Sequence, residues 1–114
     1  SSSIINQTGA GLVRSENSAT VTQSGASNMS LIEQDGFNST AEVTQSGAGN
    51  TSNVAQTGTV DGFGNAADVT QSGSGNLSDI LQNGSLNSAT VMQSSDNNVS
   101  NIQQLGTGGS VTVT

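Results

Sequence analysis

The sequence predicts an all-β fold: a flattened, parallel β-solenoid of about five 22-residue turns, with two strands per turn and cross-β stacking. Three observations predict it. Glutamine recurs every eleven residues at Gln23, Gln34, Gln45 and Gln56, and again at Gln71, Gln82, Gln93 and Gln104. The fixed positions around each Gln are spaced by two, the period of one face of a strand. The residue four before Gln alternates without a miss, as Ala19, Ser30, Ala41, Ser52, Ala67, Ser78, Ala89 and Ser100, so the full repeat is twenty-two residues.

The eleven-residue unit reads N-x-[A/S]-x-[V/I]-x-Q-x-G-x-x. Its first position holds Asn17, Asn28, Asn50, Asn65, Asn76, Asn87 and Asn98, with Ser39 as the exception. Two residues before Gln stand Val21, Ile32, Val43, Val54, Val69, Ile80, Val91 and Ile102. Two residues after it stand Gly25, Gly36, Gly47, Gly58, Gly73, Gly84 and Gly106, with Ser95 replacing one. Val, Ile and Thr favour strand, and the Gly is expected to end each strand and open an arc.

Taken in order, the sequence opens on a Ser-type half containing Ser3, Ile5 and Gln7. An insertion near 12–16 separates it from the first Ala-type half, residues 17–25, N-S-A-T-V-T-Q-S-G. Residues 28–36, N-M-S-L-I-E-Q-D-G, are the next Ser-type half, and the two types then alternate. A second insertion, near 59–62, lengthens the step from Gln56 to Gln71 to fifteen residues. The tail 109–114, G-S-V-T-V-T, behaves as a closing Ala-type half. Residues 1–114 therefore form one domain of ten half-units. An eleven-residue repeat also suits a supercoiled helix, but regular Gly, abundant Asn and Thr, and alternation by two argue for strand.

Charge tells which face is inward. The Asn, Ala/Ser, Val/Ile and Gln positions carry no charge, whereas Glu33, Asp35, Glu42, Asp68 and Asp79 occupy the intervening ones. Burying an isolated carboxylate is costly, so the charge-free face points inward. Asn and Gln columns then stack, each amide donating to one neighbour and accepting from the other, as in other cross-β stacks. An inward amide without such neighbours is a costly unpaired group. Phe37 and Phe63 fall in arcs and are expected to cap the core edge. Met29, Leu31, Leu77 and Leu81 fall on the outward face.

Composition excludes several classes. One basic residue, Arg14, against eight acids gives a net charge of −7, which disfavours nucleic acid and anionic membrane as partners. No apolar run is long enough to span a bilayer as a helix. There is no Cys and no His, so thiolate sites and the commonest general base are missing. Ser and Thr without a base are surface hydroxyls rather than nucleophiles, and neither catalysis nor a cofactor is expected. No signal peptide is visible, and the opening residues already follow the repeat, which suggests a mature or trimmed product. Solenoids that stay monomeric need capping elements. With no Pro, no Lys and no helical segment at either end, the protein is expected to stack head to tail on further copies of itself.

The units N-S-A-T-V-T-Q-S-G-A-S, N-L-S-D-I-L-Q-N-G-S-L and N-T-S-N-V-A-Q-T-G resemble the curlin repeat, with the similarity running over residues 4–106. The resemblance implies a non-catalytic subunit of a curli-type functional amyloid, secreted unfolded across the bacterial outer membrane. Such subunits polymerise at the cell surface into biofilm and adhesive fibres, with a nucleator subunit and secretion or chaperone factors as partners. The sequence departs from familiar curlins in having no Tyr. A monomeric solenoid binding module, such as an ice-binding protein or an adhesin repeat, is the alternative. Thr20, Thr22 and Thr90 suggest an ice-matching row, but Glu42 and Asp68 interrupt it. Calcium-binding turns are disfavoured because the acids near Asp35-Gly36 and Asp61-Gly62 do not recur at one turn position.

Overall fold

The computed structural model describes residues 1–9, 16–58 and 63–114. Both insertions, near 12–16 and 59–62, and with them Arg14 and Asp61, fall largely or wholly outside the described residues. The described residues hold ten strands: β1 (Ser2–Thr8), β2 (Ser18–Gln23), β3 (Met29–Asp35), β4 (Thr40–Gln45) and β5 (Thr51–Gly58), then β6 (Ala66–Gln71), β7 (Leu77–Ser85), β8 (Ser88–Gln93), β9 (Val99–Thr107) and β10 (Ser110–Val113). Odd strands form one parallel sheet, ordered β1-β3-β5-β7-β9, and even strands form the other. The protein is thus a solenoid of five two-strand rungs, with four steps between them.

Register is what makes the stack regular. Ile32 pairs with Val54, Val54 with Ile80, and Ile80 with Ile102, and Gln45 pairs with Gln71 and Gln71 with Gln93. Like residues therefore sit over like at the ~4.8 Å strand spacing. The molecule measures 42 × 24 × 12 Å. Its 12 Å thickness leaves room for one layer of interdigitated side chains between sheets that pack about 10 Å apart. Ile32, Val43, Val54, Val69, Ile80, Val91 and Ile102 make the apolar centre of that layer, with Ala41, Ala67 and Ala89 beside them.

Period-two alternation is visible in the burial of every central strand. In β4, Ala41, Val43 and Gln45 are buried while Thr40 and Glu42 are exposed. Glu33, Asp35, Asp68 and Asp79 are likewise exposed. The physical reason is the cost of desolvating a carboxylate, which fixes the register against a one-residue slip.

Three expectations need correction. Gly does not end β7 and β9, which run one residue past Gly84 and Gly106, whereas β3 stops before Gly36 and β5 ends on Gly58. Gly84 has φ 131°, and a Cβ there would collide with the carbonyl oxygen of Gly106. The missing side chain thus lets the ladder continue through the bend. The first rung is also not buried: β1 is exposed throughout, and Asn17, Val21 and Gln23 are half-buried, as is Asn98 near the other end. These residues have a described neighbour on one side of the stack only. Finally, Phe37 is half-buried but Phe63 is exposed, and the core edge at that level is closed by the buried Asn65.

Candidate functional site

Two glutamine columns run the length of the stack. In the first, the Gln7 Nε2 donates to Gln34 Oε1 (2.7 Å), Gln34 to Gln56 (2.9 Å), Gln56 to Gln82 (2.9 Å) and Gln82 to Gln104 (2.8 Å). In the second, Gln23 donates to Gln45 (2.7 Å), Gln45 to Gln71 (2.8 Å) and Gln71 to Gln93 (2.8 Å). Gln34, Gln45, Gln56, Gln71 and Gln82 are among the largest fully buried side chains. All seven bonds point the same way, from the N-terminal rung toward the C-terminal one.

A second set of bonds locks that direction. From Gln23 onward, each column Nε2 also donates across the core to a backbone carbonyl of the opposite sheet: Gln23 to Ser2 (3.1 Å), Gln34 to Ser18 (3.0 Å), Gln45 to Met29 (2.9 Å), Gln56 to Thr40 (2.9 Å) and Gln71 to Thr51 (3.0 Å). Gln82, Gln93 and Gln104 do the same to Ala66, Leu77 and Ser88. A carbonyl can only accept, so the amide nitrogen must face it and the amide cannot flip. The acceptor is in every case the residue just before the alternating Ala or Ser. This accounts for a small residue at that position, Ala or Ser alike: it leaves room for a long amide to cross the core. The invariant small residue was the signal for this cross-core bond, and sequence reasoning did not use it.

The asparagine columns work differently from the expected amide-to-amide ladder. The Oδ1 of Asn28 accepts from the backbone N–H of Asn50 (3.0 Å), Asn50 Oδ1 from Asn76 (3.0 Å) and Asn76 Oδ1 from Asn98 (2.9 Å). Their Nδ2 groups donate to arc carbonyls, as Asn28 does to Ser24 (2.7 Å) and Gly47 (3.2 Å). Asn17, Asn65 and Asn87 behave alike at the other edge, through Ser39, Asn87 and Gly109 respectively. Of these side chains, Asn87 and Asn65 alone also bond amide to amide among the described residues (3.1 Å). Asn sits at the corner of each rung, where stacked arcs offer backbone groups nearer than the next amide. Ser39, the exception in the repeat, is buried there and accepts the N–H of Asn65 (3.2 Å).

Arcs on the Ser24 side are held by backbone bonds between rungs. Ala26 N–H donates to Gly47 and Ala48 N–H to Gly73, while Gly49 and Gly75 donate back to Ala26 and Ala48. Gly25, Gly47 and Gly73 stack here with φ 91–97°, and a Cβ on Gly47 would meet the Gly73 carbonyl. Gly36 has φ 113° at the opposite edge. The outer face of the even sheet carries the column Thr20–Glu42–Asp68–Thr90, so carboxylates do break the threonine row. Among the described residues no three metal-capable side chains gather. The buried hydroxyls of Ser30, Ser52, Ser78, Ser85 and Ser100 have no hydrogen-bond partner among the described residues.

Residues 15–47 match the family model described as the curlin associated repeat. That stretch is similar to curlin repeats. The matched stretch holds β2, β3 and β4, and the strand register extends the same repeat to β10. Within the matched stretch, the half-rungs supply Gln23, Gln34 and Gln45 to the columns and Asn17, Asn28 and Ser39 to the corners. No curated relative matches the sequence.

Proposed function

We propose that this protein is a structural subunit of a secreted, curli-like amyloid fibre at the bacterial cell surface, built end to end from copies of itself. The N-terminal rung of one copy stacks on the C-terminal rung of the next, and the fibres serve as biofilm matrix and adhesive filaments. A nucleator subunit and secretion factors are the further partners this reading implies. The role is mechanical and templating, with no reaction catalysed.

One observation carries the reading: the glutamine columns run one way, so every rung presents acceptors on one side and donors on the other. At the first rung, no described donor reaches the Oε1 of Gln7 or Gln23. In the last rungs, Gln93 and Gln104 each donate one N–H, to Leu77 and Ser88, and no described acceptor takes the second. A neighbouring copy supplies donors to the first group and acceptors to the second, in the same geometry as every internal step. Such a contact is heterologous and does not close, so it propagates.

Electron microscopy of the purified, initially monomeric protein in plain buffer tests this, paired with fibre diffraction. Unbranched fibrils with a meridional reflection near ~4.7–4.8 Å are expected. Persistent single particles at concentrations up to the millimolar range would overturn it.

A further inference from the structure

We propose that Asn83–Gly84 is a site of spontaneous modification, loss of side-chain ammonia through a cyclic imide, that the folded solenoid suppresses and the unfolded state permits. It is the sole Asn-Gly pair in the sequence. Glycine after Asn leaves the attacking backbone nitrogen unhindered, so this pair is the most reactive Asn-X in any flexible polypeptide. The proposal does not rest on fibre formation, because its readout is the folded solenoid itself.

The chemistry needs only water. The Gly84 nitrogen loses its proton and attacks Cγ of Asn83; the Cγ–Nδ2 bond breaks and ammonia leaves. Water then opens the ring. Attack at Cγ restores the normal backbone with Asp at 83. Attack at the backbone carbonyl instead routes the polypeptide through Cγ, giving an iso-aspartyl link with one extra backbone atom. No oxidant or reductant takes part.

Folding opposes the first step. Asn83 lies in β7 with its side chain exposed, in register between Thr57 and Leu105. An extended backbone at Asn83 holds Gly84 N away from Cγ. Turning it into the ring geometry would break the pairing of Gly84 with Gly58 and Gly106. Gly84 is buried, and its carbonyl also accepts from Asn65 Nδ2 (3.1 Å).

The two products have opposite fates. Asp at 83 is compatible with the stack, since Asp35 already occupies the same column two rungs away, next to Thr57. The iso-aspartyl link is not. It lengthens the backbone by one atom beside the spot where Gly84 and Gly106 approach so closely that even a Cβ collides. An unfolded molecule therefore has a limited time in which it remains able to fold.

The test ages the full-length protein in guanidinium at mildly alkaline pH, beside a folded sample in the same buffer without denaturant. Peptide mapping by mass spectrometry measures Asp and iso-Asp at 83. Ammonia loss is expected in the unfolded sample and at least about a hundredfold slower in the folded one, because only locally opened molecules react. After refolding and brief proteolysis, iso-Asp molecules should be confined to the digested fraction, whereas Asn83→Asp should fold like the parent. Aged Asn83→Ser should refold in full. Equal rates in the two samples, or iso-Asp and Asp in the same ratio within the protease-resistant fraction, would overturn the proposal.

Discussion

Removing one glutamine from the middle of a column tests whether the amides hold the rungs together. Gln56 accepts from Gln34 (2.9 Å) and donates to Gln82 (2.9 Å) and to the Thr40 carbonyl (2.9 Å). Gln56→Ala leaves one N–H of Gln34 and the Oε1 of Gln82 without partners, both in fully buried side chains. Each orphaned buried group costs about 1–3 kcal/mol, so the loss should be about 2–6 kcal/mol before any cavity is counted. That is a large share of the roughly 5–15 kcal/mol that stabilises a typical domain. Gln23→Ala is the matched control: Gln23 is half-buried, and it donates to Ser2 (3.1 Å) and Gln45 (2.7 Å) at the first rung. Water replaces those partners, and a loss of about 1 kcal/mol is expected. Urea unfolding of dilute, monomeric protein, followed by far-ultraviolet circular dichroism, measures both midpoints, with the slope m unchanged. If the two variants unfold at the same midpoint, or Gln56→Ala loses less than about 1 kcal/mol, the amide columns do not hold the core.

Other substitutions probe single features. Ser52→Ala and Ser78→Ala each delete a buried hydroxyl with no partner among the described residues, so stability should be unchanged or rise by up to about 1 kcal/mol; a loss of that size in both would show a hidden partner. Leu86 is exposed at φ 59°, and Leu86→Gly should raise the melting temperature through about 0.5–1 kcal/mol of relieved strain; a lower melting temperature would refute this. Gly47→Ala, at φ 97° and against the Gly73 carbonyl, should cost about 2 kcal/mol or more in the same urea assay, and a neutral result would mean that the arcs can spread. Ile80→Ala should cost about 2–5 kcal/mol because its fully buried site is fixed by rungs above and below; a loss under about 1 kcal/mol would imply collapse of the stack around it.

The rung was legible because identical residues recur at a fixed step and their outward neighbours carry the charge. Gln45, Val43 and Ala41 are buried and Glu42 is exposed, as an alternation of two requires. What was not legible depends on distances across the core and around the corners. No spacing along the sequence tells that Gln45 reaches the Met29 carbonyl, since that bond joins opposite sheets sixteen residues apart. The asparagine columns were misjudged for a related reason. Periodicity places Asn50 over Asn28, but backbone groups at the bend compete for its amide and win. Left-handed backbone at Ser27, Asn38, Leu86 and Asn97 also escaped, because only the Gly at matching positions, such as Gly49 and Gly75, advertises it.

The two edges of the solenoid differ in how rigidly they count. On the Ser24 side every described connection between strands spans the same five residues, at 24–28, 46–50, 72–76 and 94–98, and each is stitched to a neighbouring arc. On the other side the ladder offset is 22 residues in some steps, but 26 between β5 and β7 and 27 between β1 and β3, and the columns resume in register regardless. Length is therefore free to vary at one edge and fixed at the other. A foreign peptide spliced between Leu86 and Asn87 should leave Gln82 over Gln104 and project from a single margin. The same peptide placed between Ala48 and Gly49 should break the stitching. In an end-to-end array, the permissive margin would become a continuous display strip along one side of the filament.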